Sequence, residues 1–197
     1  MQPAPSKLKR GRPRSAKTKA AILEAAFDLF RELGYSELTI EGVAARAQCG
    51  KATIYRWWPS KGSLVLEAFL GVDGAALPYP ETGSVREDFR RQMQLLAQLL
   101  QSDQGKLLAN LLGSGQQDPD LIHAFRAKFL EARRAEAARI FHRGIRSGEL
   151  RPGLFLETAF DALYGPLFFR LLTDRTRLTP DYVDALCDGI MTGFTQH

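Results

Sequence analysis

In 197 residues there are only two cysteines, Cys49 and Cys187, and three histidines. They are too few and too far apart for a disulfide framework or a thiolate–imidazole metal cluster, so no metal is expected. No stretch approaches the roughly 18 uninterrupted apolar residues of a membrane-spanning helix, and no membrane partner is expected. The N-terminus is polar and basic with no apolar segment behind it, which argues against a secretory signal and for a reducing, cytoplasmic location. Apolar and polar residues nowhere alternate between turn signals, so no strand is expected, and no internal repeat occurs. Catalytic signatures are missing too. There is no Gly-x-Ser-x-Gly and no His-Glu-x-x-His, and Gly50-Lys51 fails as a phosphate loop because the first glycine position holds Ala45 and the hydroxyl position Ala52. Neither enzymatic activity nor a cofactor is expected.

What is present is an uneven charge. The chain carries a net +5, yet residues 1–70 hold 12 bases against 6 acids, whereas residues 71–197 hold 15 against 16. The first nineteen residues contain seven bases and no acid. A short basic run alone is commonly a solvated tail. Confined to one third of a chain of ordinary globular composition, it implies that this third meets a polyanion while the remainder does something else.

Apolar spacing places helices along the whole chain, predicting an all-α fold. Residues 1–14 lack periodicity and read as a disordered basic arm. Ser15 is a candidate N-cap for a helix to about Leu33, stopped by Gly34. Thr39 caps a short helix through Ile40, Val43, Ala44 and Ala47. The turn Gln48-Cys49-Gly50 follows, then a second short helix from Lys51 to about Trp57, ended by Pro59. Ser60 opens a helix to about Leu70. Two short helices joined by a tight turn and stacked on a longer one make a three-helix helix-turn-helix unit over residues 15–70. Beyond it, Gly74–Gly83 reads as a linker. Helices are predicted at Val85–Gln101, Lys106–Leu112, Pro119–Arg146 (with Phe125, Phe129, Ala132, Ile140 and Phe141 inward), Leu156–Leu172 and Asp181–Phe194. The last is capped by Thr179, with Pro180 at its first position. Pro166 is expected to kink its helix.

The segment Leu38–Phe69 closely resembles the DNA-binding domain of the TetR/AcrR family of bacterial transcriptional repressors. The resemblance rests on Thr39, Ala47, Lys51-Ala52-Thr53-Ile54-Tyr55, Trp58 and Pro59-Ser60-Lys61, all at the family's spacing. Where the family commonly has Gly-Val-Ser in the turn, this chain has Gln48-Cys49-Gly50, so the recognition helix starts without a hydroxyl cap. The resemblance implies a homodimer that binds a palindromic operator in double-stranded DNA, represses transcription and is released by a small-molecule effector. Residues 71–197 would then form a helical ligand-binding and dimerisation domain.

Physical chemistry assigns roles within that frame. Lys51, Ala52 and Thr53 occupy the first turn of the second short helix, the part that meets base edges in the major groove. Lys51 can donate to guanine, Thr53 can offer a methyl or hydroxyl, and Ala52 permits close approach. The resemblance makes Tyr55, Trp57 and Lys61 candidate phosphate contacts and Thr39 a candidate DNA contact, and Arg56 could reach phosphate or base. Ile54 and Trp58 are core. In the arm, Arg10-Gly11-Arg12-Pro13-Arg14 resembles an AT-hook, whose arginines lie in a narrow A·T-rich minor groove. An architectural A·T-rich DNA-binding protein without a defined operator or effector is the alternative function. In the C-terminal half, Phe89, Met93, Phe129, Phe160 and Tyr164 are candidate effector contacts, although aromatics at helical spacing are more often plain core. Leu163, Leu167, Phe168 and Leu171 on one helix, with Val183, Leu186, Ile190 and Phe194 on the next, are candidates for a four-helix dimer interface.

Deleting residues 1–14 is expected to weaken DNA binding and flatten its salt dependence, because several phosphate-region cations are lost. Titrations of wild type and truncation across a salt series check this. An unchanged slope would reduce the arm to a tail.

Overall fold

In the computed structural model of the chain, which describes residues 13–71 and 77–195, every regular element is helical. Helix α1 (Pro13–Glu37) begins two residues before the expected Ser15 cap, and proline suits a first helical turn because its missing N–H would be unpaired there anyway. Gly34 interrupts α1 at φ 79° and ψ 173°, a backbone state that side chains rarely adopt, so the expected stop is a sharp kink followed by a short helical continuation. The arm through residue 12 lies outside the described residues.

Helices α2 (Ile40–Arg46), α3 (Lys51–Tyr55) and α4 (Lys61–Leu70) complete the first group. Thr39 caps α2 by accepting from the Gly42 N–H at 3.1 Å, as its position predicts. Ser60 caps α4 through a reciprocal pair with Ser63, and Pro59 precedes it. The recognition helix α3 is two residues shorter than expected: Arg56 is its C-cap and Trp57 already lies in the turn.

The second group holds α5 (Val85–Gln101), α6 (Asp103–Gly115), α7 (Pro119–Phe125), α8 (Glu131–Ser147), α9 (Leu156–Thr173) and α10 (Pro180–Thr192). Helix α5 matches its predicted bounds. Helix α6 is longer than predicted at both ends. Ser102 caps it by accepting from Gln104 N–H, and its terminal glycines stay helical because Gly115 packs against Ile122 of α7. The predicted long helix at 119–146 is interrupted: α7 and α8 are joined by a π-helical turn, Arg126–Leu130, and Ala132 is exposed rather than inward. Helix α9 runs through Pro166 as one helix. Before α5, the predicted linker ends packed rather than free, with Leu77 buried and the Tyr79 ring set edge-on to Phe89 at 5.9 Å.

Four of the dimer candidates are taken up by the protomer's own core. Leu163, Leu167 and Leu171 of α9 and Val183 of α10 are buried inside the protomer, and Phe168, Leu186, Ile190 and Phe194 are half-buried against it. A helix 3.6 residues per turn has one stripe for its own core, and residues at 163, 167 and 171 define it. The outward stripe of α9 instead carries Gly165, Phe169 and Leu172, with Phe169 67% exposed and Leu172 55%.

The two groups meet where α4 lies on α7. Gly62 of α4 is so close that a Cβ there would sit 2.6 Å from the Leu121 Cα. Backbone cannot yield as a side-chain tip can. Gly62→Ala is therefore expected to cost about 1–3 kcal/mol of stability, the usual range for overpacking, read as a lowered urea midpoint with unchanged slope.

Candidate functional site

Helix α3 has only five residues, so its position depends on what anchors it. Ile54 is fully buried and Trp58 nearly so. With those two turned inward, Lys51, Ala52, Tyr55 and Arg56 emerge together on the opposite, exposed face, and Thr53 and Trp57 are half-buried at its edge. The turn ahead of α3 puts Gln48 at φ 50°, and the Cys49 N–H reaches back to the Ala44 carbonyl at 2.9 Å. Gly50 caps α3 with no side-chain hydrogen bond, as the missing hydroxyl in the turn implied.

Electrostatics organise this face. The Lys51 ammonium donates to Glu41 of α2 at 2.8 Å, an exposed pair that holds the lysine across the turn and raises its pKa through that hydrogen bond. Glu41 drew no notice in the sequence, where its ten-residue separation from Lys51 gives no cue. The Arg56 guanidinium stacks on Trp57 at 4.9 Å. Tyr55 is 52% exposed. Thr39 spends its acceptor on the α2 cap and keeps its hydroxyl hydrogen to donate.

Lys61 opens α4, as expected, and gains a contact that the sequence did not announce. Its ammonium donates to the Tyr35 carbonyl at 3.0 Å and lies 4.3 Å above the Tyr35 ring, leaving its other hydrogens for a further acceptor. Tyr35 in turn takes Asn110 of α6 through its N–H at 3.0 Å and donates its hydroxyl to Asp118, the cap of α7. Further along α4, Glu67 is gripped by Lys19 of α1 and by Lys128 of the π turn, each at 2.8 Å. Burial alone would raise its pKa, but the two ammonium groups more than reverse this and pull it down to about 2. Arg10 and Arg12 lie outside the described residues, and Arg14 falls in the first turn of α1 with its side chain likewise outside them.

In the second group, a cavity between α5, α8 and α9 is walled by Leu96, Phe129, Phe160 and Phe168. Three predicted effector contacts, Phe129, Phe160 and Tyr164, line it. The other two do not: Phe89 and Met93 are fully buried, with Phe89 against Phe141 at 4.5 Å. Phe168, predicted for the dimer interface, also lines this cavity. Three polar lining residues went unnoticed in the sequence, namely Tyr79, Gln92 and Arg133. Gln92 had a visible signal, since it sits one turn from Asp88 and Leu96 on the buried stripe of α5, where a polar residue is out of place. His123 and His142 are exposed. Among the described residues no three His, Cys, Asp or Glu side chains are grouped to hold a metal, and no helix is long and apolar enough to cross a membrane.

A short helix presented by a buried isoleucine and tryptophan, with cationic and aromatic side chains outward, defines a helix-turn-helix transcriptional regulator that binds DNA. Residues 22–68 match the family described as bacterial regulatory proteins, tetR family, and residues 79–190 match the tetracyclin repressor-like C-terminal domain. The chain is 41% identical over 186 residues to the HTH-type transcriptional regulator YdeS of Bacillus subtilis (strain 168), covering 94% of this chain and 92% of that one. It is also 31% identical over 118 residues to the DNA-binding transcriptional repressor TetR of Mycobacteroides abscessus, covering 59% and 60%. Among solved structures, the TetR family transcription regulator SCO0332 superposes with a TM-score of 0.73 at 31% identity, over 91% of this chain and all of that one. The chain belongs to the TetR family of transcriptional regulators.

Lys51→Ala and Tyr55→Phe are each expected to weaken specific DNA binding. For Lys51→Ala the loss is about 1–3 kcal/mol if it reads a base, together with relaxed preference at one position. Titrations against a selected site and its single-base variants measure both, and an unchanged base preference would remove Lys51 from the groove.

Proposed function

We propose that the protein is a homodimeric repressor acting in the cytoplasm, in which residues 15–70 read a palindromic operator and residues 71–197 dimerise and bind a small-molecule effector that releases it. The single observation that carries this is the π turn at Arg126–Leu130. Lys128 of that turn pairs with Glu67 of α4, while Phe129 and Leu130 of the same turn line the cavity. A molecule entering the cavity therefore pushes on the segment that grips the DNA-reading group. Such turns, wound wider than an α-helix, are frequent at functional sites. The similarity to a protein described as a transcriptional repressor supports the direction of regulation.

Release requires an effector that favours a state in which the paired recognition helices no longer match half-sites about 34–36 Å apart. The pairing itself is best served by the outward stripe of α9 with the neighbouring side of α10. Gly165 and Gly189 have nothing within 4 Å of a Cβ position, which lets a second copy approach closely, and Phe169 and Leu172 supply exposed apolar area. Small apolar compounds that stabilise the protein should weaken its operator binding, and a hit that leaves DNA affinity unchanged would defeat the coupling.

Two measurements follow. Footprinting on DNA selected from a random pool is expected to protect a palindrome, whereas diffuse A·T-rich protection would favour an architectural binder. Phe169→Arg is expected to give monomers by sedimentation with poor operator affinity, while Phe168→Arg should disturb the cavity first. A stable Phe169→Arg dimer would exclude this stripe from the interface.

A further inference from the structure

Two of the side chains that line the cavity between α5, α8 and α9 each carry a buried polar atom without a hydrogen-bond partner. Gln92 is 1% exposed, and its side-chain oxygen is buried without a hydrogen-bond partner. Arg133 donates through one terminal nitrogen to Glu136 at 2.7 Å, and its other terminal nitrogen, Nη2, is buried without a partner. Both residues line the cavity, along with Tyr164 and Tyr79, whose hydroxyls bond to each other at 3.0 Å. A buried polar group left unpaired is costly, and folded proteins rarely keep two in one place without a use for them.

We infer that the effector is an uncharged, largely apolar molecule carrying a hydroxyl group, as in a phenol or naphthol, whose hydroxyl bonds Gln92 and Arg133 together. The inference rests on the effector reading given above and names the ligand's chemistry. The two orphans differ in kind: the Gln92 oxygen needs a donor and the Arg133 N–H needs an acceptor. A hydroxyl is the smallest group that is both. A carboxylate would satisfy Arg133 and set its lone pairs against the Gln92 oxygen, and an ammonium would do the reverse. Charge is disfavoured on a second count. The Arg133 cation is already met by Glu136, and burial raises the pKa of Tyr164, so its hydroxyl stays neutral. A bound anion would lose its water for no free countercharge. The remaining wall is aromatic and aliphatic, suited to a flat apolar body.

The unliganded space is only about 10 Å³, at the threshold for one water, so a ligand must displace part of the wall. Phe129 and Phe168 are the half-buried members of that wall and can move outward. Phe129 lies in the π turn next to Lys128, which joins ligand entry to the contact on α4.

The probes are 2-naphthol, 2-naphthoate and 2-methylnaphthalene, three ligands sharing one apolar body, titrated calorimetrically into the full chain. The expected result is that 2-naphthol binds about tenfold more tightly than either of the others. In Gln92→Leu that advantage over 2-methylnaphthalene should fall to within about twofold, while the unliganded melting temperature holds or rises, because an orphan carbonyl has been replaced by an apolar side chain of similar size. Arg133→Met should remove the same advantage and serves if Gln92→Leu folds poorly. The inference is overturned if 2-naphthoate binds as well as 2-naphthol, or if the naphthol advantage survives both substitutions. It is equally overturned if no probe binds and a crystal structure shows a single water bridging Gln92 and Arg133. Operator affinity measured alongside separates the two readings. Gln92-dependent naphthol binding that leaves DNA affinity unchanged keeps this inference and ends the effector reading. Release of the operator by 2-methylnaphthalene as readily as by 2-naphthol does the opposite.

Discussion

The contact of α4 on α7 is the constraint through which the rest of the molecule is connected. Helix α4 closes the DNA-reading group and carries Gly62, which has no Cβ to hold it away from the Leu121 backbone. Around that point of close approach lie the polar links: Lys61 to the Tyr35 carbonyl, the Tyr35 hydroxyl to Asp118, the Tyr35 N–H to Asn110, and Glu67 between Lys19 and Lys128. The apolar contact sets distance and the polar links set direction. Packed interfaces of this kind do not deform smoothly, so a displacement on one side passes to the other as a change of position.

The π turn gives that displacement an origin. In an α-helix, residues 128 to 130 would follow the 3.6-residue stripe. The extra residue per turn re-phases the segment, so that Lys128 faces α4 while Phe129 and Leu130 face the cavity.

Helix α5 shows how selectively the fold satisfies its buried polar groups. Asp88, fully buried, accepts from both the N–H and the hydroxyl of Thr82 at 2.7 Å each and is paired with Arg143. One turn on, the oxygen of Gln92 has no partner. The same helix thus carries one polar residue that ties the loop before α5 to α8 and another left open toward a cavity. Burial is equal in the two cases, and the presence or absence of partners separates a structural role from a binding one.

The sequence by itself determined the helix content, the caps and the reading head. Thr39, Ser60 and Thr179 cap where their side chains can accept from a first turn, because capping is local chemistry. Ile54 and Trp58 fall on the buried side of the recognition segment and Lys51, Ala52, Tyr55 and Arg56 on the outer one, because helical period alone separates them. Tertiary structure decided what depends on neighbours distant in the chain. Leu163, Leu167 and Leu171 look the same whether they face their own core or a second copy, and only packing shows that the outward stripe holds Phe169 and Leu172. The π turn left no mark in composition, and α6 kept its glycines helical because α7 covers Gly115. That the Lys61 ammonium rests on the Tyr35 ring and carbonyl, twenty-six residues away in the chain, is likewise known only from the fold. The cavity took Tyr79 from a presumed linker, Gln92 from α5 and Arg133 from α8, three residues whose partners, or lack of them, exist only once the chain has folded.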